Sequence, residues 1–84
     1  MHQPNANLDP LRYESGQLPT LIRIKLVIAL TGISKSYIYD LSNRGLFPKS
    51  VQLVPGVGTS VAWVRSEVLA WIESRILQRD EETI

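Results

Sequence analysis

The sequence predicts a mainly α fold with a small β-hairpin, arranged as a helix-turn-helix with a wing, and three features predict it. Two short amphipathic stretches between residues 25 and 44 are each followed by a glycine, Gly32 and Gly45, suited to the left-handed turn that ends a helix. The pair Pro55-Gly56 separates two alternating runs, as a hairpin requires. An apolar stripe at helical spacing, Val68, Trp71, Ile72 and Ile76, closes the pattern.

Taken in order, residues 1–20 hold Pro4, Pro10 and Pro19 and no sustained apolar period, which predicts a flexible arm. The folded domain is expected over 21–78, with a polar tail at 79–84. LIRIK at 21–25 alternates as a short strand does. The apolar run after it predicts a helix from about Lys25 to Thr31, with Val27, Leu30 and Ile28 sharing a face. Ile33 is expected to plug inward, and Ser34 to cap the next helix with its hydroxyl oxygen.

That second helix is predicted from Lys35 to about Arg44, anchored inward by Ile38 and Leu41. At 100° per residue, the opposite direction holds Ser36, Tyr39, Asp40 and Asn43, flanked by Lys35 and Arg44. Tyr37, at the stripe's edge, is expected to be partly core. Val51 and Leu53 alternate with Gln52, and Val61 with Trp63 return after a type II turn at Pro55-Gly56. Ser66 can cap a last helix that carries Glu67 in its first turn, with Leu69 and Leu77 beside the buried stripe.

Composition narrows the function. Cysteine is absent, which excludes a disulfide framework and thiolate metal sites and suits a reducing cytoplasm. The apolar stretch near position 26 is too short and too interrupted to span a membrane, so no membrane partner is expected. The only histidine, His2, lies in the arm, and PGVG is followed by strand residues and no lysine-led helix. Neither a nucleophile-base pair nor a phosphate cradle results, so the chain is read as no enzyme and without a cofactor.

Charge is unevenly distributed. Between Leu21 and Arg65 the cations Arg23, Lys25, Lys35, Arg44, Lys49 and Arg65 face Asp40 alone, a local charge of +5, whereas residues 66–84 carry −3. A basic centre suits a polyanion, and a mixed-charge solvated surface is the plain alternative.

The major groove of B-DNA admits a helix that presents donors and acceptors on a face not needed for packing. Lys35, Ser36, Tyr39, Asp40 and Asn43 are therefore the candidate base readers. Arg23, Lys25, Arg44, Lys49, Thr59 and Ser60 are the candidate phosphate contacts. Each has a structural alternative: Tyr39 packed over the hairpin, Asn43 serving the helix end, Lys35 as an ordinary surface lysine. Asp40 is repelled by phosphate unless it accepts from cytosine N4 or orients a neighbouring group. The rival function is a protein-interaction adaptor working through Leu69, Leu77 and the acidic last helix.

LIRIKLVIALTGISKSYIYDLSNRGLFPKSVQL followed by SVAWVRSEVLAWIESRI resembles the AlpA family of small prophage regulators over about Leu21 to Ile76. Its more specific pieces are LTGISKS, IYDL, GLFPK, and VAW with SEVLAWI. That family is similar to phage excisionases and to the winged helix-turn-helix of the MerR group. The resemblance implies a transcriptional regulator that binds double-stranded DNA, or an excision factor that arranges DNA for an integrase. It implies the second helix in the major groove and the hairpin along the adjacent backbone or minor groove. Ser34, Lys35 and Ser36 fall on the family's Ser-Arg/Lys-Ser opening, Tyr39 on its tyrosine, and Lys49 on its basic residue after Phe-Pro. Three positions depart from its pattern: Asp40, where relatives are often basic; Val57-Gly58-Thr59, where the wing tip often carries an arginine; and the apolar Leu26 and Ile28. Integrase, RNA polymerase and further copies bound cooperatively on DNA are the expected partners. A single module of this kind contacts roughly 600–1,000 Å² and so depends on repeated sites or a partner.

Overall fold

A computed structural model of the chain describes residues 20–82. The arm expected over 1–20 lies, except for Thr20, outside the described residues, as do the last two positions of the tail. The elements are β1 (Leu21–Ile22), α1 (Ile24–Thr31), α2 (Lys35–Asn43), β2 (Val51–Gln52), β3 (Val61–Val64) and α3 (Arg65–Glu82). All three strands are antiparallel in the order β1-β3-β2, with Ile22 opposite Trp63 and Val51 opposite Ala62. This is the helix-turn-helix with a wing.

Both glycine turns form for the expected reason. Gly32 adopts φ +75° and its N–H donates to the Ile28 carbonyl at 2.7 Å, ending α1. Gly45 adopts φ +74° after α2, and its N–H donates to Ser42 while that of Leu46 donates to Leu41. Those two bonds together make a Schellman cap, which satisfies carbonyls the helix end would otherwise leave open. Between the helices, Thr31 Oγ1 donates to Val27 and accepts from the Ile33 N–H, and Ser34 Oγ accepts from the Tyr37 N–H. The turn is thereby fixed by its own side chains. At the wing tip Gly56 has φ +81°, and the Val57 N–H donates to Val54 at 3.0 Å across Pro55-Gly56.

The core is Ile22, Val27, Ile38, Leu41, Phe47, Ala62, Trp63 and Val68. Each large member contributes roughly 1.5–3 kcal/mol by leaving water. Both indoles also hold the segment after α2. Trp63 Nε1 donates to the Pro48 carbonyl at 3.1 Å, and Trp71 Nε1 to the Leu46 carbonyl at 2.8 Å. Phe47 is wedged edge-on against Trp71, ring centroids 4.8 Å apart.

Several expectations are corrected. Tyr37 is 52% exposed rather than partly core, and Tyr39 is half-buried against Trp63 rather than outward. The cause is Ser42, which is buried together with Ile38 and Leu41. This centres the inward direction on Ile38 and leaves the two tyrosines about 100° to either side. β3 supplies a neighbour for Tyr39, whereas the flank of Tyr37 meets an open cleft.

Leu30 is exposed, since α1 turns Ile24, Val27, Ile28 and Thr31 toward the core and Leu30 projects to one side of them. Val51 and Leu53 are exposed too, on or just beyond β2, which is an outer strand of the sheet. Ser66 lies inside α3 and is not its cap, as β3 runs directly into the helix and the Arg65 N–H donates to the Thr20 carbonyl. Ile76 is 42% exposed because the packed part of α3 stops at Ile72. The helix itself continues through Glu82, into the stretch read as tail.

Candidate nucleic-acid interface

The candidate surface is built by the anchoring of α2. With Ile38, Leu41 and Ser42 turned into the core, Ser36, Asp40 and Asn43 face the opposite way, and all three are exposed. Lys35 stands exposed in the first turn and Arg44 at the C-cap. Ser42 adds an unexpected fixture: its hydroxyl donates to the Pro48 carbonyl at 3.0 Å, the acceptor that Trp63 also uses. The C-terminal end of α2 is thus tied to the middle strand of the sheet.

Arg44 Nη2 lies 2.9 Å from Asp40 Oδ2. Both side chains are about half exposed, so as a contribution to folding the pair is worth only about 0.3–0.5 kcal/mol. Its geometric effect is larger. Helical side chains lean toward the amino terminus, and this pair draws the guanidinium back over the preceding turn of α2. The outward face carries its acid already neutralised.

The expected readers therefore separate. Lys35, Ser36, Asp40 and Asn43 share the exposed surface of α2, while Tyr39 sits at its border with its ring edge-on to Trp63, centroids 5.7 Å apart at 61°. Among the expected phosphate contacts, Arg23 immediately precedes α1, Lys25 lies in its first turn, and Lys49 lies two residues before β2, all exposed. Thr59 is exposed on the wing, whereas Ser60 is half-buried and its carbonyl accepts from the Leu53 N–H. The rest of the wing tip is apolar, with Val54 and Val57 exposed and no cation.

Reading the sequence missed the role of Ser42 and the coupling of Asp40 to Arg44. The second was visible as an acid and a base at i, i+4, the spacing that pairs on a helix. The first had no signal in the sequence, since its acceptor is a carbonyl six residues on, placed by the Gly45 turn.

Behind this surface lies a cleft of about 360 Å³ between α2 and α3, lined by Ile33, Tyr37, Leu41, Leu46, Trp71 and Arg75. Its walls are mostly apolar and carry no carboxylate or imidazole that could pair as acid and base. Among the described residues no helix is long and apolar enough to cross a membrane.

Comparison with known proteins follows the same boundaries. The family model described as prophage CP4-57 regulatory protein (AlpA) matches residues 20–76, all of the fold from β1 to the second half of α3. The chain belongs to the AlpA family. A relative, the uncharacterized protein ORF88 of Enterobacteria phage P4, is 45% identical over 58 residues, which are 69% of this chain. The match spans 62% of that relative's length. In AlpA terms, every candidate contact residue named above falls inside the matched region. The family is regulatory and prophage-associated.

Proposed function

We propose that this chain is a sequence-specific DNA-binding transcriptional regulator of prophage or mobile-element origin. The observation that carries this reading is the exposed polar face of α2, presented outward because Ile38, Leu41 and Ser42 turn inward. In the proposed complex α2 lies in the major groove, with Lys35, Ser36 and Asn43 toward base edges and Tyr39 at the rim. Arg23, Lys25 and Lys49 meet phosphates from the flanks, and the hairpin at 50–64 follows the adjacent backbone through Thr59 and Ser60. The wing tip, lacking a cation, contributes little charge.

A role as an excision factor beside an integrase uses the same DNA face together with a second, protein-facing surface. The exposed Leu69 and Leu77 on α3 supply an apolar surface for that role. Footprinting of the purified full chain across its own genomic neighbourhood tests the proposal. Protection of short, discrete, recurring sites is the expected result. Uniform protection or none contradicts sequence-specific binding.

A further inference from the structure

Asp40 is an odd residue for a surface that approaches DNA, because a lone carboxylate there repels phosphates. The ion pair removes the oddity and suggests a use for both partners. Resting on the reading of α2 as the major-groove element, we propose that Arg44 reads a guanine and that Asp40 is the positioning residue that aims it. Arg44 is thereby taken out of the phosphate-contacting set.

Three observations carry this. First, Arg44 is the C-cap residue of α2, at the edge of the outward face, where a free guanidinium would spread toward the flanking backbone. The contact of 2.9 Å to Asp40 instead draws it back toward the preceding turn, onto the outward side of α2 to which Asp40 belongs. Second, the contact is made through Nη2 alone, and no other side-chain bond of Arg44 occurs among the described residues. A guanidinium has five N–H donors in a planar fork, so a pair of parallel donors remains for guanine O6 and N7, the commonest specific contact in the major groove. Third, the pair is neutral as a unit, so the acid adds specificity without leaving a net negative charge on the face.

The test is selection from a randomised duplex library by the purified full chain, followed by salt titration on the selected duplex. Wild type is expected to require guanine at one position. Asp40→Ala is expected to relax that preference about 10-fold or more and, by freeing Arg44 for a phosphate, to steepen the dependence of log K on log salt by about 0.9. The double variant Asp40→Ala/Arg44→Ala is expected to lose the preference while keeping the wild-type slope. Arg44→Lys, which keeps charge and loses the fork, is expected to lose the preference as well. Circular dichroism of each variant should match wild type.

If base preference survives in all three variants while Lys35→Ala still weakens binding, the pair is only a helix-surface ion pair and the inference is overturned with α2's role intact. A uniform loss of affinity with a shallower slope in the double variant returns Arg44 to a phosphate. If no substitution on α2 changes duplex binding, α2 is not the reading element and the inference falls with it.

Discussion

Ser42 and Trp63 donate to one and the same acceptor, the Pro48 carbonyl, at 3.0 and 3.1 Å. One donor comes from the last turn of α2 and the other from the central strand of the sheet, so a single carbonyl locks α2 to the base of the wing. Ser42→Ala should cost about 1 kcal/mol in urea unfolding, since the carbonyl keeps its second donor. Trp63→Phe should cost more, through lost packing. Combining the two should cost more than the sum, because the part-buried carbonyl then loses both of its donors.

Gly45 occupies the left-handed region with nothing within 4 Å of an added Cβ. Strain alone therefore sets the effect of Gly45→Ala, about 1 kcal/mol. In a domain of this size that lowers the melting temperature by about 4–8 °C. A thermal melt showing no change would mean that the α2 cap is not the conformation in solution.

The tyrosines give a comparison internal to one helix. Tyr39→Ala removes the edge-on contact with Trp63 and should destabilise the fold by at least about 1 kcal/mol more than Tyr37→Ala, whose side chain is 52% exposed. Equal costs in chemical denaturation would contradict the orientation of α2.

Much of this was legible beforehand, and the limits are physical. Gly32, Gly45 and Pro55-Gly56 announce their turns because each needs a backbone conformation that few other residues adopt. Ile38 and Leu41 set the rotation of α2 to within one residue. The remaining uncertainty, which tyrosine turns inward, depended on the third anchor, Ser42, and a buried serine looks like any polar residue until its acceptor is placed. Leu30 and Ile76 were assigned to packed faces by periodicity, yet periodicity does not say where a small domain runs out of neighbours. The candidate contact residues were recognisable as a polar face. That Asp40 and Arg44 pair within it was indicated only by their i, i+4 spacing, and the contact itself rests on the side-chain geometry of both.

Salt dependence separates the two classes of function. With Arg23, Lys25 and Lys49 on phosphates, log K for duplex binding should fall with log salt at a slope of about −3. An adaptor working through Leu69 and Leu77 would bind its protein partner with little change over the same range. Lys49→Ala should make the DNA slope shallower by about 0.9 and weaken binding to all sequences alike.

The most direct measurement is an NMR titration of the isotope-labelled full chain with a duplex recovered by footprinting. The account predicts that amide shifts concentrate in residues 35–44 and at Lys25, Lys49 and Thr59, with Leu69 to Leu77 unmoved. Shifts confined to α3, with 35–44 unchanged, would contradict it.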